Sequence, residues 1–295
     1  MTDVALVTHA GLPELADDER PMIRALETLG IRARPAVWND PDVRWTDYDA
    51  AIVRSTWDYH LRRDEFLAWV DRTSRSTELW NPAPILRWNS HKSYLRDLEQ
   101  RGVPIVPTVW SDGRRTLAEI LDQRGWEDAV FKPVVSAAAH RTHRVHRAAL
   151  ANAEPLYRAL SQEQTVLVQP YLASVERHGE HSLIFLDGAY SHAVDRPAVL
   201  APARAFPGEE PVEASAAERQ LGRRVLDAVG APTLYARVDV APDAAGSLCL
   251  MELELVEPTL FLASRPVAVA RFARAIRSQV RDRRNSDPPS GGATR

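Results

Sequence analysis

Apolar and charged residues alternate most regularly near the C-terminus, in Ala236-Arg237-Val238-Asp239-Val240 and in Leu250-Met251-Glu252-Leu253-Glu254-Leu255. A period of two sends successive side chains to opposite faces of a β-strand. The first segment therefore turns Val238 and Val240 toward a core and Arg237 and Asp239 away from it. The second buries Met251, Leu253 and Leu255 and turns Glu252 and Glu254 outward. A hairpin with its turn near Ala245-Gly246 brings Asp239 opposite Glu252 and Arg237 opposite Glu254. Three carboxylates then share one sheet face with a guanidinium. Like charges so placed raise one another's pKa unless a cation neutralises them. Hard oxygen donors with room left for water and phosphate suit Mg²⁺. A solvated face is the plainer reading of one alternating strand, and two strands in matched phase weigh against it.

Upstream, residues 4–8, 31–38 and 50–54 read as strands. Helices are expected over 17–29, closed by Gly30, and over 63–73. That rhythm predicts a small parallel sheet with helices on its faces. Residues 81–84 (Asn-Pro-Ala-Pro) mark a boundary. A helix over 91–101, capped by Asn89 or Ser90, precedes an extended stretch at 103–109, a helix at 117–124 and a strand at 129–135. Strands dominate from 166 onward, at 166–169, 182–186 and 189–194. Residues 197–215, rich in Pro and Ala, read as a mobile loop. Helices at 216–229 and 266–280 flank the acidic hairpin, and 284–295 reads as a disordered tail. The expected units are 1–87 (α/β), 88–165 (a small central subdomain), 166–282 (an antiparallel-sheet subdomain) and 283–295 (tail).

Composition narrows the class. The 295 residues are 45% hydrophobic and 26% charged, enough for a sizeable core. A formal charge of -3 gives no reason to expect nucleic acid or an anionic membrane as partner. Cys249 is the only cysteine, which rules out an internal disulfide. The N-terminus lacks the basic and apolar regions of a signal peptide, and no apolar stretch approaches 18 residues, so a cytoplasmic protein is expected. The nine histidines show no zinc-ligand spacing.

The acidic hairpin is the last member of an ordered set. Lys92, Lys132 at the end of an apolar strand, Val166-Leu-Val-Gln169-Pro-Tyr171-Leu172, Gly179-Glu180, Arg237-Val-Asp239 and Glu252-Leu-Glu254-Leu-Val-Glu-Pro-Thr259 follow in sequence. This order resembles the ATP-grasp superfamily over roughly residues 88–275, with an ending similar to that of glutathione synthetases. The N-terminal region matches that superfamily's preceding α/β domain more loosely. The resemblance implies an α/β (mixed α+β) ATP-grasp fold and an ADP-forming ligase that phosphorylates a carboxylate for attack by nitrogen. It assigns Lys92 and Lys132 to the nucleotide phosphates, where compact ammonium charges serve. Gln169, Tyr171 and Leu172 are assigned to the adenine hinge, and Glu180, with Glu176 as close rival, to the ribose. Asp239, Glu252 and Glu254 become ligands of Mg²⁺, two ions in the expected case, with Mn²⁺ as an acceptable substitute. The third ligand is usually Asn, so Glu254 departs from the pattern while keeping an oxygen donor. Arg237 and Arg196 face the migrating phosphoryl group.

A larger departure follows Lys132. The superfamily's phosphate-covering loop is rich in glycine, whereas here it reads Val134-Val-Ser-Ala-Ala-Ala-His-Arg-Thr-His-Arg-Val145, with Arg141, His143 and Arg144 as candidate phosphate contacts. A surface segment with no phosphate role is the other reading.

Val53-Arg54-Ser-Thr-Trp57-Asp58-Tyr59-His60 closes a parallel strand, where α/β sheets open their ligand crevices. Arg54 suits a carboxylate, Asp58 an ammonium, and Trp57 and Tyr59 the walls. A capping Asp58 among buried aromatics fits the same residues. Taken with Leu79-Trp-Asn-Pro82 and Trp88-Asn-Ser-His-Lys92, the cluster resembles the cyclo-ligase branch that closes O-ureido-D-serine in D-cycloserine biosynthesis. That implies a small amino-acid-like substrate; homodimers are common among such proteins. An intermolecular ligase of the same fold, joining an amino acid to an amine or a second amino acid, is the alternative. A degenerate nucleotide-binding module is disfavoured because all three acidic positions still carry acids.

Overall fold

The computed structural model describes residues 2–197, 200, 209–263 and 265–286. Continuous apolar runs form the N-terminal sheet. Thr2–Thr8 (β1), Ile31–Val37 (β2), Ala50–Ser55 (β3) and Glu78–Trp80 (β4) lie parallel in the order β2-β1-β3-β4. Such runs are expected where both faces are covered. Val4, Leu6 and Ile52 pack toward Pro21–Glu27 (α1) and the C-terminal helix, while Ala5, Val7 and Val53 meet Phe66, Trp69 and Val70 of Arg63–Thr73 (α2). Helix α1 is shorter than the expected 17–29 because Pro21, whose φ is preset for a first turn, opens it.

A helix, Ala83–Asn89 (α3), starts within the expected boundary at 81–84, and Tyr94–Gln100 (α4) follows it. The single helix expected over 91–101 is thus the second of two short ones. Val109–Ser111 (β5), Leu117–Arg124 (α5), Asp128–Pro133 (β6), His143–His146 (β7), Leu150–Glu163 (α6) and Val166–Pro170 (β8) build an antiparallel sheet in the order β5-β8-β6-β7. Ile120, Leu121, Tyr157 and Leu160 cover one face of it. Strand β8 lies between β5 and β6, so residues 166–170 belong to the central sheet and not to the C-terminal unit. Helix α6 has no expected counterpart; Pro155 interrupts its pattern of buried Ala153, Tyr157 and Leu160.

Ser174–His178 (α7), Glu180–Leu186 (β9), Ala189–Arg196 (β10), Glu210–Val212 (β11), Ala216–Val229 (α8), Tyr235–Pro242 (β12), Leu248–Glu254 (β13) and Pro266–Ser286 (α9) complete the chain. Their sheet runs β11-β10-β9-β12-β13, antiparallel throughout. Gly222 lets α8 lie directly on it, since a Cβ there would stand 2.6 Å from the Phe185 ring. Strand β11 falls inside the segment expected to be a mobile loop, and α9 runs to Ser286 into the expected tail. Residues 198–199, 201–208 and 287–295 of those two segments lie outside the described residues.

The hairpin register is the expected one, with Asp239 opposite Glu252 and Arg237 opposite Glu254. A bulge follows, pairing Val240 with Leu250, and it changes one assignment. Met251 is the extra residue, so it turns into the cavity wall while Leu250 takes its place in the core.

Strand β13 is an edge whose outward backbone groups need partners. Side chains from the preceding segment supply them. Asn89 donates to Leu253 O at 2.9 Å and accepts from Leu255 N at 2.7 Å, and Tyr94 Oη accepts from Leu253 N at 3.0 Å. Fully buried Asn81 donates to Tyr235 O and Leu255 O at 3.0 and 2.7 Å and accepts from Leu234 N at 2.8 Å. Asn81→Ala leaves three buried backbone groups unpaired. It is expected to cost about 2–4 kcal/mol, measured as a lower urea midpoint with an unchanged slope.

His181 on β9 and Glu218 on α8 bond at 2.6 Å. Against the burial that would raise it, hydrogen bonds from His181 and Ser215 hold Glu218 at about 2, and Glu218 raises His181 above 6.5. The Glu218 contribution is present above the ordinary 4.5 and is lost as pH falls through about 2. The His181 contribution is full below 6.5 and is lost as pH rises through its raised value. Glu218→Gln keeps the helix cap, so its deficit in thermal midpoint, about 2 °C, should peak between those limits and shrink on either side.

Candidate active site

One cavity draws on all three units. Tyr59 comes from the N-terminal domain; Lys92, Lys132 and Gln169 come from the central segment; Arg196, Arg237, Asp239, Glu252 and Glu254 come from the C-terminal sheet. The segments are tied by backbone bonds. Lys92 N donates to Val134 O at 2.7 Å, and Val106 N and Leu250 N bond Leu250 O and Pro104 O at 3.1 and 2.8 Å.

The sheet carboxylates are met by cations. Lys92 bonds Glu252, and Arg237 bonds Glu254. Arg237 also grips Asp239, Nε to Oδ1 at 3.0 Å and Nη2 to Oδ2 at 3.0 Å. Arg196 reaches the same Oδ2 at 3.0 Å and bonds Glu180. Ser182 accepts from Arg196 Nε at 2.8 Å and donates to Asp239 Oδ1 at 2.6 Å, a link that alternation on the hairpin alone does not announce.

These pairings separate the acids electrostatically. Burial raises the pKa of every carboxyl here, and the nearest cations decide the outcome. Lys92 and Lys132 overcome it at Glu252 and bring that group down to about 2; Arg237 and Arg196 likewise lower Asp239. Burial prevails at Glu180, despite Arg196, and pushes it up to about 7; it also raises Glu254 despite Arg237. Glu257, further along the same segment, is raised far above its ordinary range by burial and then by Glu254. Burial lowers the Lys132 ammonium. Of these five acids, Glu257 is the one with no ion pair among the described residues.

Asp239, Glu252 and Glu254 offer hard oxygen donors on one face, which fits Mg²⁺. Each now faces a cation, and among the described residues no group of three or more His, Cys, Asp or Glu is gathered tightly enough to hold a metal. Binding an ion would require these side chains to turn from Lys92, Arg196 and Arg237.

Gln169, Tyr171, Leu172 and Glu180 line the cavity, with the Gln169 amide fixed to Thr108 Oγ1 at 2.9 Å. Glu176 is not part of the lining; it pairs with Arg144 at 2.7 Å, which holds its pKa down. The loop after Lys132 contributes Ser136, Ala137, Ala138, Ala139 and Thr142 to the wall, but its basic side chains turn elsewhere. Arg141 pairs with Glu163, Arg144 with Asp128 and Glu176, and His143, on β7, stacks on Phe131 at 5.0 Å. Ala138, Ala139 and Arg141 hold φ of 48, 55 and 54°, the left-handed region that glycine would occupy without penalty.

The 54–60 cluster is corrected more deeply. Only Tyr59 lines the cavity. Arg54 is 3% exposed, with Nε 2.8 Å from Glu19 Oε1, Nη2 2.7 Å from Pro258 O, and its guanidinium over the Tyr235 ring at 4.5 Å. Asp58 accepts from the Trp38 indole at 2.9 Å, and Trp57 Nε1 donates to Glu257 O at 3.1 Å. Arg54 and Trp57 thus tie the N-terminal domain to the 257–258 backbone, Asp58 is engaged within its own domain, and none of the three lines the cavity. A strand-end Arg reads the same in sequence whether it faces a substrate or a buried Glu 35 residues earlier.

Two sheets closing on lysines and alternating carboxylates are the arrangement of an ATP-grasp ligase. A family model for the N-terminal domain of D-cycloserine synthetase DcsG matches residues 4–81. The cycloserine biosynthesis protein DcsG of Streptomyces lavendulae is 34% identical over 94% of this chain and 99% of its own. A crystal structure of D-cycloserine synthetase DcsG superposes with a TM-score of 0.87 at 32% identity, over 94% of this chain and 99% of that one. The ATP-grasp ligase PsnB, solved with a precursor variant, Mg and ADP, shares the fold alone, with a TM-score of 0.65 at 18% identity over 95% and 99% of the two chains. The chain belongs to the DcsG family of ATP-grasp ligases.

Arg54→Ala leaves Glu19 buried without a cation, with the Ser55 hydroxyl as its remaining donor. The expected loss is about 3–5 kcal/mol of stability, read as a marked fall in thermal midpoint, and Arg54→Lys, which lacks the fork that spans Glu19 and Pro258, should recover less than half of it.

Proposed function

We propose that the chain activates the carboxylate of O-ureido-D-serine, or a near analogue, with ATP and closes it on itself to give D-cycloserine. The row of paired carboxylates and cations inside a cleft bounded by Gln169–Leu172 carries this reading, supported by a likeness that spans the whole of a D-cycloserine synthetase. Gln169, Tyr171, Leu172 and Glu180 hold the nucleoside, and Lys92 and Lys132 the phosphates. Asp239, Glu252 and Glu254 would hold one or two Mg²⁺ ions, which Mn²⁺ can replace and which supply charge neutralisation for the transferred phosphoryl group.

In this reading a substrate carboxylate oxygen attacks the γ-phosphorus and ADP departs. Arg237 and Arg196 face the acyl phosphate so formed, as preorganised charge does in phosphoryl transfer. The substrate's own hydroxyurea nitrogen then displaces phosphate and closes the ring. D-cycloserine lacks the carbamoyl group, which therefore leaves to water. No protein nucleophile is needed, and burial pushes the Cys249 thiol up to about 12, far from a reactive thiolate. The enzyme would work in the cytoplasm, where ATP is supplied, as a monomer or homodimer. Among the described residues no helix is long and apolar enough to cross a membrane.

ADP release is the test. O-ureido-D-serine alone should support it, with one ADP per ring closed; a requirement for an amine or second amino acid would point to intermolecular ligation. Glu252→Gln should lower turnover at least ~100-fold in protein that still melts cooperatively, because the site loses a charge and a metal donor; its thermal midpoint should fall as well, since Lys92 loses its buried partner.

A further inference from the structure

Among the five carboxylates in the cavity wall, Glu257 stands apart. Glu252 has Lys92, Glu254 and Asp239 have Arg237, and Glu180 has Arg196. Glu257 is 7% exposed, and among the described residues no ion pair or side-chain hydrogen bond engages its carboxyl group, although Lys92 and Arg237 act on it through space. A buried carboxylate without a partner is costly, which makes it a place where a ligand's charge is worth most.

Its position is also held from outside the C-terminal sheet. Trp57 Nε1 bonds its carbonyl at 3.1 Å, and Arg54 bonds the next carbonyl, Pro258 O, at 2.7 Å. Both anchors come from the N-terminal domain, which also supplies Tyr59 to the cavity. Glu257 lies three residues past Glu254, beyond the end of β13, and so off the paired face where a metal would sit. Asp58, the other acid suited to an ammonium, is committed to Trp38.

We propose that Glu257 receives the α-ammonium of the amino-acid substrate, with Tyr59 as the adjacent wall. This rests on the amino-acid ligase reading above and adds which group recognises the substrate's positive end. The nucleotide brings its own metal ions, so the leftover carboxylate is matched by the one cation a zwitterionic substrate carries. A charge-assisted bond there fixes the substrate by its amino group and leaves its carboxylate free to be phosphorylated.

The test compares O-ureido-D-serine with 3-(ureidooxy)propanoate, the same molecule without its amino group, by ADP release from the full chain. The native enzyme should prefer the amino acid by about 100-fold in kcat/KM. Glu257→Gln should raise KM for the amino acid at least ~30-fold, leave KM for ATP within about 2-fold, and shrink the preference below about 5-fold. Glu257→Asp should fall between the two. Thermal melts establish that each variant is folded. An unchanged substrate KM, a preserved preference, or an equal rise in the ATP or Mg²⁺ requirement overturns the assignment while native turnover leaves the ligase reading intact. A native enzyme that releases ADP with no amino acid overturns both.

Discussion

Everything about this cavity follows from the need to keep a crowded, buried set of charges neutral. Five carboxylates and four cations line one wall. In a low-dielectric setting each acid left without a partner is pushed toward its protonated form, and each cation without an acid toward its neutral one. The strand alternation that puts Asp239, Glu252 and Glu254 on one face creates the problem; Lys92, Arg196 and Arg237 solve it from three different elements. In the proposed reading, a polyanionic nucleotide with its metal ions would take over the pairings that these side chains make with one another.

The scaffold around that wall is held by polar side chains used as backbone. Asn81, Asn89 and Tyr94 give the exposed edge of β13 the hydrogen bonds that a further strand would have supplied. Because they come from the segment that also carries Lys92, the lysine's position and the register of the acidic strand are set together. The loop after Lys132 achieves something similar with poorer material, since alanines and an arginine occupy left-handed conformations there. Each such residue costs roughly 1 kcal/mol relative to glycine, and the loop is correspondingly more constrained.

Much of this was legible in the chain because alternation is a strong signal. The partners across the acidic hairpin followed from period two and a turn near Gly246, and α2, α5 and α8 from helical spacing with clear ends. The bulge at Met251 was not legible, since one extra residue leaves the alternation intact on each side of it. Helix α6 was hidden by Pro155. The Arg54 cluster misled for a physical reason: a guanidinium at a strand end suits a free carboxylate and a buried Glu19 equally, and only the fold says which one arrives. Glu257 carried the weakest signal, one more acid in an acidic run. What distinguishes it is the absence of an ion pair to it among the described residues, a property of three-dimensional surroundings alone.

The two indole and guanidinium bonds from Trp57 and Arg54 to the 257–258 backbone make the site a joint between distant parts of the chain. The N-terminal domain and the stretch after β13 are far apart in the chain but grip one another at the cavity. Neither can drift without disturbing the other's geometry. A chimera that takes residues 1–81 from one relative and the remainder from another would splice a mismatched joint into the site. The position of Glu257 is therefore set by two segments far apart in the chain, so residues 1–81 are not a detachable module of this site.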